Sequence, residues 1–442
     1  MTDHSSDHDE ADCGCSEYRS LSRRKFIQAS AGAGGAAFAA SMFPAWLPKV
    51  VLAPTYQSSR DVMVSIFQRG GVDGLTTCVP FADNNYYTAR PTIRIPRPDD
   101  TSVPAAQRAT ALDNFFGFPP GMAGLVPAFA ATDLLVVHAT GLLDKSRSHF
   151  DAQRWMEVGK PVDATIVTGW LGRHLATVPP MRSDALLRGI GISSGLAKTL
   201  VGGPKTLPVA DPSNYNIGGA SATRTARLAV IESDYGTTAD PLRTSALDAV
   251  NTIELLSAIN FTGYAPHNGA VYPNSGFGRA LKSVAALIRA DVGVEAAQID
   301  IGGWDTHSAQ DPNAGSMFST MNDFANSLGA FWQDIVLDSL PVTAVSVSEF
   351  GRNLRENGSN GTDHGRGTTM FAMGKGIAGG QVLVVGGWPG LDLNSLEDKQ
   401  DLRVTVDYRD ILAEIVSRRL GNSANLSAVF PGWTPTFRGV TR

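Results

Sequence analysis

Five short runs, 62–67, 134–138, 296–301, 343–348 and 381–385, are almost continuously apolar and rich in β-branched residues. A half-solvated strand alternates apolar with polar residues, so runs of this kind belong to a sheet covered on both faces. Longer amphipathic stretches separate them, at 150–157, 243–258, 278–290, 317–337 and 408–419, and read as helices. The repeated order of strand then helix predicts an α/β fold: a doubly wound, mostly parallel sheet with helices on both faces. No internal repeat interrupts the order. The segment 161–240 is rich in Gly, Pro, Ser and Thr with weak periodicity, and reads as a loop-rich cap or insertion over one sheet edge.

The N-terminus carries a second instruction. Ser22-Arg23-Arg24-Lys25-Phe26-Ile27 precedes a weakly hydrophobic Ala/Gly run at 28–43, the layout of a twin-arginine export signal. Small-residue cleavage options lie near Phe38-Ala39-Ala40 and Val51-Leu52-Ala53. Pro44 and Pro48 break the run, which falls short of the roughly 20 strongly apolar residues needed to span a bilayer. The expectation is a signal peptide and short linker over 1–53, a single α/β domain over 54–442, passage through the twin-arginine (Tat) export machinery without a stable transmembrane anchor, and a periplasmic or extracellular location. Cys13 and Cys15 would leave with the signal, so Cys78 alone remains and no intrachain disulfide forms. The net charge is −5 and no Lys/Arg stripe interleaved with aromatics occurs, which argues against nucleic acid as a partner.

Three glycine-flanked motifs carry acids and imidazoles: RGGVDGL at 69–75, GGWDTH at 302–307 and GTDHGRG at 361–367. Carboxylates and neutral imidazoles are the usual oxygen and nitrogen donors to divalent metals, and glycine lets a backbone turn tightly around them. In doubly wound sheets, ligands collect at the carboxyl ends of the strands. Asp73 follows the strand at 62–67, His149 follows 134–138, Asp305 and His307 follow 296–301, and Glu349 closes 343–348 with Asp363 and His364 a loop further on. Four strands therefore send donors to one rim. Zinc or manganese suits mixed Asp and His ligands, and magnesium or calcium is also open to them.

Each residue also has a structural role open to it. Asp73 and Asp363 are possible turn formers, Asp305 a cap, and Ser148 an N-cap with Asp151 at the capping-box position. Glu349 is a metal ligand, a general base, or the ion-pair partner of Arg352 or Arg355. His138 suits a core imidazole, His174 a helix surface and His267 a loop. Asp83-Asn84-Asn85-Tyr86-Tyr87 is either a stacking loop for a ligand or aromatic packing.

The strings RGGVDGL, SRSHFDAQRWMEVG, GGWDTHSAQ, SEFGRNLRENGSNGTDHGRG and GGWPGL closely resemble family 1501 of the domains of unknown function (DUF1501), which is grouped with the alkaline-phosphatase-like superfamily. The resemblance runs from about residue 60 to about residue 421. It implies the superfamily's central sheet with flanking helices, and hydrolysis of phosphate or sulfate esters at a centre of one or two divalent metals. Carried over residue by residue, it implies Asp73 as a metal ligand, Asp305 and His307 as the pair on one metal, and Asp363 and His364 as the pair on the other. Ser148 matches the nucleophile, with Ser146 behind it. The superfamily's further metal-binding His toward the C-terminus has no counterpart, since no His follows His364, and Arg366 stands close to that place. His149, Asp151 or His138 would then complete the shell. A metal would turn Ser148 into a usable alkoxide, and Arg69, Arg147 or Arg366 would clamp the remaining ester oxygens. The competing reading is a non-catalytic, metal-stabilised binding or assembly protein of the cell envelope.

Overall fold

A computed structural model describes residues 60–442. The twin-arginine motif and both cleavage options lie outside the described residues. Among the described residues, nine strands form one sheet: β1 (Val62–Gln68), β2 (Leu134–Gly141), β3 (Gly189–Gly191), β4 (Thr206–Pro208), β5 (Ala296–Ile301), β6 (Val342–Val347), β7 (Thr368–Met373), β8 (Gln381–Leu383) and β9 (Val406–Asp407). The order is β8-β2-β7-β6-β1-β5-β3-β4, with β9 also paired to β2. All neighbours are parallel except β7, which runs antiparallel to both β2 and β6. The fold is thus α/β with a mostly parallel central sheet.

All seven residues of β1 are buried because both faces are covered. Val62, Val64 and Ile66 face a core layer formed with α5 (Gly276–Arg289) and α6 (Ser316–Phe331). Met63 and Phe67 face the opposite layer, formed with α1 (His149–Val158), α2 (Trp170–Thr177) and α7 (Tyr408–Arg418). The same alternation sends Leu134 and Val136 of β2 one way, Leu135 and Val137 the other. Each such side chain contributes about 1.5–3 kcal/mol when fully buried.

The structure departs from the sequence-based expectation in three places besides β8, an edge strand of three residues that is exposed at Gln381 and only half-buried beyond it, and β9, which the apolar pattern does not predict. The first is β7, which the apolar pattern does not predict, because Thr368-Thr-Met-Phe-Ala-Met follows a glycine-rich motif directly and has few β-branched apolar residues. Part of the segment expected as a loop-rich cap, 161–240, instead supplies β3 and β4, which extend the sheet beyond β5. Those strands are three residues each, too short to leave a period-two signature. The rest of that segment includes α2 and α3 (Arg224–Tyr235), with α4 (Leu242–Ala258) following. Finally, the helix expected over 317–337 ends at Phe331 and passes into a π-turn, Trp332–Val336. That turn carries Asp334, fully buried, under the hydroxyls of Tyr264 and Tyr272. No helix among the described residues is long and apolar enough to cross a membrane.

Phe371 of β7 is 1% exposed, its ring 5.5 Å from that of Phe324 and 6.3 Å from that of Phe118. Phe371→Ala should lower the unfolding free energy by about 3–5 kcal/mol in chemical denaturation. Phe437→Ala, at an exposed ring, should change it by less than about 0.5 kcal/mol.

Candidate metal centre

β1, β5 and β6 end at one rim of the sheet, and β7, being antiparallel, begins there. The three glycine-flanked motifs therefore meet although one of them precedes its strand. Arg352 joins them. Its side chain is 1% exposed. Nε donates to Gly71 O at 2.7 Å, and one terminal nitrogen donates to Thr362 O at 2.9 Å. The other donates to Gly70 O, to Trp304 O at 3.1 Å and to Asp305 Oδ1 at 2.5 Å. One planar, permanently charged guanidinium thus holds residues of all three motifs. Gly70, at φ +122°, is required because a Cβ would stand 2.6 Å from Asp305 N, and a Cβ on Gly361 would meet the His307 carbonyl at 2.3 Å.

Three imidazoles and one carboxylate converge beside Arg352. His364 Nδ1 donates to the carbonyl of Arg147 at 2.9 Å, which leaves its Nε2 lone pair facing Asp305 Oδ1 at 3.3 Å. His307 Nδ1 donates to Asp363 Oδ1 at 3.0 Å, and its Nε2 lies 2.9 Å from His364 Nε2 and 3.0 Å from Asp305 Oδ1. His149, the first residue of α1, donates from Nδ1 to Glu349 Oε1 at 2.8 Å, and its Nε2 lies 3.5 Å from Asp305 Oδ2. That Nε2 is buried with no hydrogen-bond partner. An imidazole whose Nδ1–H is tied to a carboxylate or carbonyl has its tautomer and ring orientation set, with Nε2 free to ligate. His149, Asp305 and His364 each offer a donor atom within 4.8 Å of the others, so this donor set fits a divalent transition ion.

The electrostatics follow from these contacts. The hydrogen bond that His149 donates to Glu349 raises its imidazole above its ordinary value. Burial lowers that of His364. Burial alone would raise the Glu349 carboxyl, but donors from His149, Gln153 and Gly70 N–H bring it below the usual carboxylate range. The Phe350 ring packs 4.9 Å from His149 and 4.7 Å from His364, giving both imidazoles an apolar floor.

Not every expected residue joins the cluster. Asp73 is buried in a separate network. Its carboxylate accepts from both terminal nitrogens of Arg90 (2.5 and 3.0 Å), from Thr76 Oγ1 at 2.7 Å and from Gln310 Nε2 at 2.7 Å. With its oxygens committed to these donors, Asp73 is a brace and not a ligand. Gln310 then accepts from Thr306 and Thr362, so the brace supports two of the motif turns from below. Asp363 stands behind His307 and orients it. Arg366 does not reach the cluster: it donates to the carbonyls of Leu142 and Leu143 and lies 3.3 Å from Glu397. Arg69 is engaged by Asp300, Glu157 and Gln153, and Arg147 by Asp401. Ser148 caps α1, its Oγ accepting from Asp151 N at 3.5 Å, while Ser146 Oγ accepts from Ser148 N. Asp151 is exposed on α1.

Around the cluster, Arg352 pairs with Asp305 and Glu349 with His149, so the ion pair open to Glu349 and Arg352 in the sequence does not form. His174, expected on a helix surface, is buried against Asn422. Tyr86 is buried, its hydroxyl accepting from Ile95 N, and Asp83 accepts from Trp388 Nε1, so the 83–87 segment packs instead of opening to a ligand. His138 is a core imidazole that donates to Cys78 O and accepts from Ala139 N. The bracing roles of Arg352, Gln310 and Phe350, and the pairing of Glu349 with His149, have no local signature. The sole sequence signal for Arg352 is its place in the SEFGRNL string.

Two measurements test the arrangement. Arg352→Met leaves the carbonyls of Gly70, Gly71, Trp304 and Thr362 and the Asp305 carboxylate without their donor. It should lower the unfolding free energy by about 3–5 kcal/mol in urea denaturation at neutral pH. Burial pushes the His138 imidazole down from 6.5 to about 4. Because the unfolded chain binds the proton first, its contribution to stability is full above about pH 6.5 and falls as pH drops toward about 4. His138→Gln should remove about 3 kcal/mol of that fall relative to the parent.

No curated protein matches the chain. Among solved structures, the alkaline phosphatase from the Antarctic bacterium TAB5 aligns over 74% of this chain and 95% of that one, at 13% identity and a TM-score of 0.28. Residues 139–425 match the family described as "Protein of unknown function (DUF1501)", a span that contains His149, Asp305, His307, Arg352, Asp363 and His364. The chain belongs to the DUF1501 family.

Proposed function

We propose that this chain is an exported, metal-dependent hydrolase of phosphate or sulfate esters, with the alkaline-phosphatase-like arrangement that its motifs imply. The observation that carries the reading is the convergence of three Nε2 atoms on one carboxylate, each imidazole held from behind through Nδ1. His149, Asp305, His307 and His364 would hold the metal. A divalent ion bound there supplies Lewis acidity and lowers the pKa of a hydroxyl in its reach. Ser148 adjoins His149 and is the candidate nucleophile. As an N-cap its Oγ accepts one N–H, which leaves the hydroxyl proton and a second lone pair available. The N-terminus of α1 presents backbone N–H groups and a partial positive charge toward an anionic ester. Glu349 keeps His149 in place throughout.

A second reading, a metal-stabilised binding or assembly protein of the envelope, is favoured by one observation: Arg69, Arg147 and Arg366, the arginines expected to clamp an ester oxyanion, are each engaged by acids or carbonyls of the protein. Elemental mass spectrometry of purified protein should give stoichiometric metal that His364→Ala loses. Ser148→Ala should keep the metal while turnover of p-nitrophenyl phosphate or sulfate falls by about 100-fold or more. Stoichiometric metal with no hydrolysis of either ester would put the binding reading first.

Export through the Tat machinery belongs to the same proposal and rests on Arg23 and Arg24. Replacing both by Lys should leave the precursor in the cytoplasm on cell fractionation; unchanged export would remove the twin-arginine route.

A further inference from the structure

The donors standing closest together are His307 Nε2, His364 Nε2 and Asp305 Oδ1. The two imidazole nitrogens are 2.9 Å apart, His307 is 3.0 Å from Asp305, and His364 is 3.3 Å from Asp305. Two ligands held about 2.1 Å from one ion lie about 3.0 Å apart at a right angle and about 3.4 Å apart at the tetrahedral angle. Two of the three separations match the right angle, and the third falls just short of the tetrahedral one. A regular tetrahedral centre would part His307 from His364 by about another 0.5 Å. Both rings resist that movement, since Asp363 anchors one through Nδ1 and the Arg147 carbonyl anchors the other.

The contact between the two nitrogens also needs an explanation. With Nδ1 of each ring engaged by an oxygen, the Nε2 atoms of His307 and His364 face one another at 2.9 Å. Two nitrogens that close need a shared proton or a metal ion between them, and the donor set around them fits a metal. The negative charge of Asp305, close to both, points the same way.

We propose that His307, His364 and Asp305 form one face of an octahedral centre, with His149 as the fourth protein donor. The site thereby selects a six-coordinate divalent transition ion, ferrous iron or manganese, over four-coordinate zinc. This rests on the metal reading above and narrows it. Two imidazoles and a carboxylate on one face is a donor pattern suited to ferrous iron, and His149 adds a third imidazole while leaving two of the six positions open. Magnesium and calcium, which take oxygen donors, are disfavoured by the nitrogen-rich set. Asp305 and His307 are about half exposed, so the open positions face solvent, where a substrate oxygen can enter.

The test uses the full mature chain, stripped of metal and titrated with Co²⁺ as a spectroscopic probe. Six-coordinate Co²⁺ absorbs weakly in the visible, whereas four-coordinate Co²⁺ gives an intense blue band. We expect a stoichiometric, weakly absorbing complex. His307→Ala, at an exposed position that should leave the far-ultraviolet circular dichroism unchanged, should weaken Co²⁺ affinity by about 10-fold or more. An intense band, or unchanged affinity in His307→Ala, overturns the octahedral assignment while leaving the metal site intact. Failure to bind Co²⁺, Zn²⁺ or Mn²⁺ at all overturns this assignment together with the hydrolase reading.

Discussion

The rim of this protein is held together by Arg352. Three chain segments far apart in sequence arrive at the sheet edge as glycine turns, and turns leave carbonyls that the sheet ladder cannot satisfy. A buried guanidinium with five fixed donors answers several of these at once, and its charge is balanced by Asp305. Lysine could not take its place, because three donors on one nitrogen cannot span segments on different sides. Removing a buried charge's partner is costly, so the same contact that closes the turns also holds Asp305 in position. Scaffold and candidate ligand are thus linked through one side chain.

A second buried pair works beneath the first. Asp73 and Arg90 neutralise one another, and Gln310 carries that constraint to Thr306 and Thr362. The cluster therefore has a layered support: an ion pair, an amide bridge, then the imidazoles. Such support is what fixes ligand directions in metal sites. It also explains why Asp73 stands in a motif so close to the others while its oxygens are taken by other donors.

Sheet direction completes the arrangement. Parallel strands deliver their following loops to one rim, which brings Asp305, Glu349 and the Gly70–Gly71 turn together. His364 reaches the same rim because β7 is reversed, so the residues before it, not after it, lie there. Had β7 been parallel, the GTDHGRG motif would sit at the opposite edge. The candidate site is therefore a consequence of one strand's direction, and nothing in the composition of that strand announces it.

The strands covered on both faces, the order of strand and helix, and the placing of His149, Asp305 and His307 just after strand ends are legible in the amino-acid order, because apolar runs and the residues that follow them are local signals with local physical causes. The direction of β7, the division of labour among the acids, and the pairing of Arg352 with Asp305 in place of Glu349 emerge only when the chain is folded. An aspartate that ligates and one that orients or braces have the same side chain. Asp305, Asp363 and Asp73 differ in what stands opposite their oxygens, and that is set by contacts between residues tens to hundreds of positions apart. The short strands β3 and β4 stay hidden for the same reason, since three residues acquire an extended conformation from their neighbours in the sheet and not from their own pattern.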